Sequence, residues 1–286
     1  MFPVRIRLIT LGIAFIFTIV FAQLLLTRKP NDILKVSFLN IGQGDAIYIE
    51  APNKRQVIVD GGPNDALAGE LANVVPFGDT TIDMLIVTNP DTDHYHGFIN
   101  ILDNYQIGVV IVPGTFSKTA TWKLFTDKID AKNIPVYLAH AGQTIMLDPA
   151  KNVGIKILFP DRNTSSWNSN EGSIMSVLTY GKSAVMLTGD SVMRTESFVT
   201  EKIKTYARNE LILKVGHHGS RTSTSRAFVD ALSPELAVIS AGEKNSYGHP
   251  HKETLDTLAQ FHVPYFLTSR DGRVTCTSKG FVFMCE

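Results

Sequence analysis

The sequence is short of cysteine, of net charge and of low-complexity segments. Its two cysteines, Cys276 and Cys285, lie close together near the C-terminus, too few for a cysteine-ligated zinc ribbon or a disulfide-dense miniprotein. Any metal must therefore be held by histidine and carboxylate. Lys+Arg and Asp+Glu number 27 each, which excludes a uniformly basic nucleic-acid coat and an acidic disordered tail. Charge-based recognition, if present, must be local. No internal repeat is visible, and no run of aromatics marks a base-stacking platform. With 44% hydrophobic residues, the chain is too apolar for intrinsic disorder and long enough to bury a sizeable core.

One long apolar run is present, Leu8 to Leu26, interrupted only by Thr10, Gly12, Thr18 and Gln23 and preceded by Arg5 and Arg7. About 19 residues rising about 1.5 Å each give a helix of about 28 Å, close to the hydrocarbon thickness of a bilayer. The apolar core of a cleaved signal peptide is shorter, about 7–15 residues, and ends at a small-x-small site that is missing here. A buried core helix would be apolar on one stripe rather than all round. The expectation is that residues 1–30 form an uncleaved anchor crossing the membrane through residues 8–26, and that residues 31–286 form one domain. Arg28 and Lys29 nearly balance the basic residues before the run, but the short N-terminus favours a cell-membrane protein whose domain is extracytoplasmic. Cys276 and Cys285 flank a Ser-Lys-Gly turn between alternating runs. An oxidising compartment would let them close a disulfide; a cytosolic one would leave two thiols.

From Leu34 onward, short strands alternate with helices. Strands are expected at Leu34–Ile41, Ala46–Glu50, Gln56–Val59, Met84–Val87, Gly108–Val112 and Val153–Phe159, with helices at Ala66–Val75 and Ala120–Ala131. A polar insert, Asp161–Gly172, separates these from a second series. That series has strands Ile174–Tyr180, Ser183–Leu187, Leu211–Val215, Leu236–Ser240 and Tyr265–Leu267, with helices at Val192–Ala207, Ser225–Leu232 and Lys252–Phe261. Two strand-rich halves, each interleaved with helices, point to an α/β domain of two facing sheets covered by helices, a four-layer αββα sandwich.

The chemistry-bearing residues collect where apolar strands end. After Met84–Val87 comes Thr88-Asn89-Pro90-Asp91-Thr92-Asp93-His94-Tyr95-His96-Gly97. A helix cap needs one such polar residue, not two carboxylates and two imidazoles, so this cluster favours metal ligation. Leu187-Thr188-Gly189-Asp190 places a carboxylate after a second strand, where capping alone would also explain it. Lys214-Val215-Gly216-His217-His218-Gly219-Ser220 sets two histidines between glycines. From a strand they face opposite ways, so one is the natural ligand unless the loop turns. Tyr247-Gly248-His249-Pro250-His251 follows another strand, with His251 where a helix N-cap belongs. Six of the eight histidines fall in these segments.

These runs, together with Phe38-Leu39-Asn40-Ile41-Gly42-Gln43-Gly44-Asp45-Ala46, Val59-Asp60-Gly61-Gly62 and Ser269-Arg270-Asp271-Gly272, resemble the metallo-β-lactamase-fold domain at the C-terminus of the ComEC/Rec2 competence proteins over Leu34–Phe283. The resemblance implies one or two divalent ions, Mn²⁺ or Zn²⁺, bound by strand-end loops. It assigns Asp93 and His94 to the second metal, Asp190 to a bridging carboxylate and His249 to the last ligand. Asp91 joins the first site. His217 or His218 is left to contact phosphate or protonate the leaving group, with Asp93 orienting the attacking water. Two departures stand out. Asn89 replaces the histidine that opens the superfamily motif, and Asn170-Glu171-Gly172-Ser173 offers no histidine for the first site. That site would then be oxygen-rich, drawing on Asn89 and Asn170, or vacant. His96, where the family has glycine, is a partial substitute, and Ser173, Ser220 and His251 are further candidates for metal or substrate contact.

Between Arg194 and Arg226, Lys202, Lys204, Arg208, Lys214 and Arg221 outnumber the nearby glutamates, a local excess suited to a phosphodiester. The expected function is a tethered metal-dependent phosphodiesterase or nuclease acting on DNA, with a separately encoded DNA-uptake channel as the expected partner, since one span cannot form that channel. Two rivals stay open: a degenerate binding module with a weak or absent first metal, and a lactonase- or β-lactamase-type hydrolase.

Overall fold

The computed structural model describes residues 30–206 and 210–286, together with Phe15. The expected anchor, residues 8–26, thus lies outside the described residues apart from Phe15. No helix among the described residues is long and apolar enough to cross a membrane.

The first sheet is built from β1 (Leu34–Phe38), β2 (Ala46–Glu50), β3 (Gln56–Gly61), β4 (Thr81–Ile86), β5 (Gln106–Val112) and β6 (Val136–Leu138), with β14 (Val274–Ser278) and β15 (Phe283–Cys285) returning from the C-terminus. Its eight strands run in the order β15-β14-β1-β2-β3-β4-β5-β6. The second sheet comprises β7 (Thr144–Asp148), β8 (Val153–Phe159), β9 (Met175–Tyr180), β10 (Ser183–Leu187), β11 (Glu210–Lys214), β12 (Leu236–Ile239) and β13 (Tyr265–Leu267), in the order β13-β12-β11-β10-β9-β8-β7. Strands β3 to β6 pair in parallel, as do β10 to β13. Parallel pairs need crossovers. In the first sheet these contain helices α1 (Ala66–Val74), α2 (Thr92–Asn104) and α3 (Ala120–Ala131). In the second they contain α4 (Met193–Ile203), α5 (Arg226–Leu232) and α6 (Lys252–Gln260); a short α7 (Thr268–Asp271) follows β13.

Three apolar layers hold the sandwich together. Val36, Phe38, Ile49, Val59, Val185 and Ile212 pack between the sheets. Tyr48, Leu71, Tyr95, Phe98 and Phe125 fill the space under α1 to α3, and Phe159, Met186, Leu213, Phe228 and Leu258 fill that under α4 to α6. The central strands β2, β3 and β10 are buried at every position, because one face meets the other sheet and the other meets helices. This is why they read as unbroken apolar runs rather than as alternating ones.

Most expected strands are found within a few residues. Two were not anticipated: β6, whose three residues are all exposed, and β7, exposed or half-buried over its first three. Edge strands bury too little to show a pattern. The expected strand ending at Ile41 stops at Phe38, and helix α4 ends at Ile203 rather than Ala207, the latter lying outside the described residues. Cys276 and Cys285 are register partners across β14 and β15 and are joined by a disulfide.

Candidate metal centre

Every element of the site leaves the carboxyl end of a parallel strand. Asp60 ends β3, Thr88 to Asp93 follow β4, Asp190 follows β10, His217 and His218 follow β11, and His249 lies in the loop after β12. Strand ends of both sheets converge on one edge of the sandwich, the place where open α/β sheets bind ligands. Backbone conformation lets the loops come that close. A Cβ on Gly189, which has φ +51°, would fall 2.6 Å from Thr88 Oγ1. On Gly44, at φ +140°, it would fall 2.4 Å from the Asp93 carbonyl.

Among the described residues, Asp93, His94, Asp190 and His218 each offer a ligand atom, all within 4.8 Å of one another. Asp190 is the hub. Its Oδ2 lies 3.1 Å from His94 Nε2, and its Oδ1 lies 3.5 Å from His218 Nε2. His218 Nε2 is also 3.3 Å from Asp93 Oδ2. Yet His94 Nε2, His218 Nε2 and Asp190 Oδ1 are buried without a hydrogen-bond partner. Buried polar atoms are ordinarily satisfied. Atoms gathered within 4.8 Å of one another with no aligned hydrogen bond among them fit the donor set of a divalent cation, two imidazoles with carboxylates.

The far side of each imidazole is anchored. His94 Nδ1 lies 2.9 Å from Asp60 Oδ2, and Asp60 in turn accepts from the Thr88 amide at 2.7 Å and the Thr88 hydroxyl at 2.6 Å. His218 Nδ1 donates to the Ser240 carbonyl at 3.0 Å and stands 3.3 Å from Asp45 Oδ1. The other Asp45 oxygen pairs with the buried Lys214 ammonium at 2.7 Å. A proton fixed on Nδ1 leaves the Nε2 lone pair for a cation, the usual outer-shell arrangement of metal-ligating histidine.

Electrostatics follow from this crowding. Burial pulls the His94 imidazole down, but the carboxylates of Asp190 and Asp60 reverse it and hold its pKa well above the ordinary value. Burial likewise opposes charge on His218, and Asp190 and Asp45 overcome it to raise that pKa to about 10. For Asp45, burial is outweighed by Lys214 and His218, which bring it to about 2. Asp190 is likewise held below the carboxylate range by His218 and His94 against the effect of burial. Without a cation, protons occupy the imidazoles; a bound cation takes their place.

The geometry redistributes the expected roles. His218 rather than His249 completes the group of four. The reason is local: His217 and His218 both adopt left-handed backbone, φ 48° and 54°. The loop therefore turns instead of continuing the strand alternation, and it sends both rings toward Asp190. Such conformations cost of order 1–3 kcal/mol each and persist where surrounding contacts enforce them. His217 Nε2 stays at 3.7 Å from Asp190 Oδ2, partly exposed, with Nδ1 3.2 Å from Thr222 Oγ1. His249 faces the Gln43 amide at 3.4 Å, and its pKa is lowered to about 4, first by burial and then by His218 and His217. Its ring stacks on the exposed Tyr247, centroids 5.5 Å apart, and meets His217 edge-on at 5.6 Å. This cluster of rings at the mouth was not apparent as a run in the sequence.

The other candidates stand outside the group. Asn89 is buried and fully engaged: its amide nitrogen donates to Asn170 Oδ1 at 2.6 Å and its oxygen accepts from the Asp91 amide at 2.9 Å. Asn170 Nδ2 meets His217 Nε2 at 3.4 Å. Asp91 holds the N-cap position of α2 without a capping side-chain bond, and its carboxylate accepts from Ser169 at 2.8 Å instead. His96 is half-buried on α2. Ser173 Oγ reaches the Ser169 carbonyl at 3.5 Å, and Ser220 Oγ lies 3.0 Å from Thr222 Oγ1. His251 Nδ1 accepts from the Arg221 amide at 3.1 Å. The local excess of positive charge is largely paired: Arg194 with Glu171, Lys202 with Asp161, Lys204 with Glu201, Arg221 with Glu253, and Lys214 with Asp45. Asp45 and Asp60 were visible only as members of motif runs with no role attached to them, and Lys214, counted in the basic excess, is instead buried against Asp45.

Comparison with known proteins bears on the family and the fold. The sequence profile described as the metallo-beta-lactamase superfamily matches residues 39–243. ComE operon protein 3 of Bacillus subtilis is 26% identical over 257 residues, covering 84% of this chain and 32% of its own length. Recombination protein 2 of Haemophilus influenzae is 26% identical over 264 residues, covering 91% of this chain and 31% of its own length. The chain thus spans about a third of these relatives. Among solved structures, the metallo-beta-lactamase fold protein YhfI from Bacillus subtilis superposes with a TM-score of 0.55 at 11% identity, covering 90% of this chain and 100% of that one.

Proposed function

The chain belongs to the metallo-beta-lactamase superfamily, and from that premise we propose that it is a metal-dependent phosphodiesterase acting on DNA outside the cytoplasm, tethered to the membrane through residues 8–26. The observation that carries the hydrolase reading is the convergence of three unpartnered buried ligand atoms, on His94, Asp190 and His218, beside the Asp93 carboxylate. Asp93, His94, Asp190 and His218 would hold the ion, and a divalent cation bound there supplies Lewis acidity toward a phosphoryl oxygen.

The chain's own residues then divide the remaining work. Asp60 and the Ser240 carbonyl fix the ring orientation of His94 and His218. Asp93, the least buried of the four, orients the attacking water from the solvent side. His217 stands next to Asp190 with its ring partly exposed and its pKa lowered by burial. A lowered pKa leaves this imidazole neutral near pH 7, suited to take a proton from the attacking water as a general base. Asn89 spends its nitrogen on Asn170 and its oxygen on the Asp91 amide, which favours one ion per chain over two. DNA as the substrate is supported by the name of one relative, Recombination protein 2, and not by the paired surface charges.

The test is cleavage of single-stranded DNA and of bis-p-nitrophenyl phosphate by the full chain with Mn²⁺ or Zn²⁺, alongside the Asp93→Ala variant. Turnover that needs the ion and is lost in Asp93→Ala is the expected result. Nitrocefin or lactone hydrolysis without phosphodiester cleavage would assign a different substrate class. Bound metal without any turnover would leave a binding module.

A further inference from the structure

The end of the sandwich opposite the metal group carries features that the site does not use. The β14–β15 hairpin exposes Phe281 by 67% and Val282 by 53% in its turn and Met284 by 69% in β15. It packs on the turn between β9 and β10, where the Lys182 amide donates to the Gly280 carbonyl at 2.8 Å. The chain enters β1 at this same end. The Tyr180 hydroxyl donates to the Asp32 carbonyl at 3.1 Å, and Lys151 pairs with the Asp32 carboxylate at 2.6 Å. Lys279 lies close enough to join Lys151 in lowering the Asp32 carboxyl pKa.

Exposed apolar side chains of this size, grouped at one end, mark a contact surface rather than ordinary scatter. The surrounding charge identifies the partner. Lys151, Lys182 and Lys279 are all exposed here. Of the nearby acids, Asp32 is held by Lys151 and Asp148 is buried beside the same lysine, accepting from its backbone amide, while Glu210 stands exposed at the start of β11. Apolar side chains ringed by lysine suit a bilayer interface with anionic lipid: the apolar groups enter the boundary of the acyl chains while ammonium groups meet phosphate. Residue 30 leads from this end back to the apolar run 8–26.

We infer that the β14–β15 turn and its lysines rest on the membrane surface, with Phe281, Val282 and Met284 inserted, so that the metal group opens away from the bilayer. Strand β10, five residues from Ser183 to Leu187, runs from this end toward Asp190. At about 3.3 Å per residue, five residues set the site roughly 16 Å above the inserted turn. The site thereby faces the aqueous side, where a polymer can reach it. This inference rests on the tether proposed above.

The experiment uses the full chain reconstituted into vesicles of phosphatidylcholine and phosphatidylglycerol carrying brominated acyl chains, which quench tryptophan by contact. Phe281→Trp is compared with Phe116→Trp, at a residue 63% exposed beyond the end of β5 on the site side. The expected result is loss of emission to bromine at position 281 beyond the unsubstituted chain, with no added loss at position 116. Equal responses at both positions, or a Trp at 281 that stays unquenched while the chain floats with the vesicles, would overturn the inference and leave the tether standing. A Trp at 281 shielded from acrylamide but untouched by bromine would assign the surface to a protein contact instead, also overturning it. A chain that does not float with vesicles at all would overturn the tether itself.

Discussion

Two neighbouring polar groups at the strand ends look alike in composition and differ in what they leave unmade. Around Asn89, each polar side-chain atom has found a partner: the amide nitrogen donates to Asn170 Oδ1, and the oxygen accepts from the Asp91 backbone N–H. Around Asp190, the inward-facing atoms of His94, His218 and Asp190 make no well-aligned hydrogen bond and face only one another's charge. The first group is a structural hydrogen-bond cluster where the superfamily pattern has a histidine. The second keeps a set of ligand atoms aimed at a shared point. A buried polar group without a partner costs about 1–3 kcal/mol, so a fold that retains three such atoms together points to a ligand that satisfies them.

The comparison is broken most severely at its hub. Asp190→Ala is expected to abolish both metal binding and turnover. In the metal-free chain it leaves His94 and His218 without their shared counter-charge, and breaking such a buried pair costs about 3–5 kcal/mol. Metal analysis and urea unfolding of the variant measure the two effects separately. Retained stoichiometric metal would mean that the ligand atoms are not the ones named.

Removing an outer support sharpens the contrast. Asp60→Ala frees Nδ1 of His94 and is expected to weaken metal affinity by about 10–100-fold while leaving the fold in place. A competition titration with a chelating dye reads this directly. On the other side of the comparison, Asn89→Ala is expected to cost about 1–3 kcal/mol in unfolding free energy and to leave the metal content at one ion per chain. A drop in metal content would show that Asn89 is a ligand after all.

The most graded effect is that of pH on the chain stripped of metal. His218 has a folded pKa raised to about 10. Its stabilising contribution is therefore complete below the unfolded value of about 6.5 and is lost as pH rises toward the folded one. Asp45 and Asp190 have lowered pKa values, so their contribution is present above the usual carboxylate range and is lost on acidification. The urea midpoint without metal should fall between neutral pH and pH 10, and added Mn²⁺ should offset the fall. A midpoint that rises with pH in the chelated chain would contradict the arrangement of charges around His218.

Much of the architecture was legible because it is encoded locally. The buried strands Ala46–Glu50, Val153–Phe159 and Ser183–Leu187 and the helix Ala120–Ala131 fall where their apolar patterns place them. The edge strands β6 and β7 did not, since exposed strands need not be apolar. Asp93, His94 and Asp190 could be picked from residue type and position after a strand. The roles of Asp45 and Lys214 could not: a buried carboxylate and ammonium from different sheets meet only in the folded chain.

The kind of ligand and the loops that carry it were thus set by the sequence itself, because strand ends and residue chemistry are short-range properties. Which histidine of the adjacent pair turns inward was decided by tertiary structure. Two consecutive left-handed residues are held in place by Asp45, Ser240 and Asp190, contacts remote along the chain. The same holds for the silence of Asn89, whose partner Asn170 arrives from the other half of the sandwich. Pairings of that range have no local signature, because their energy exists only once both sheets have closed over the core.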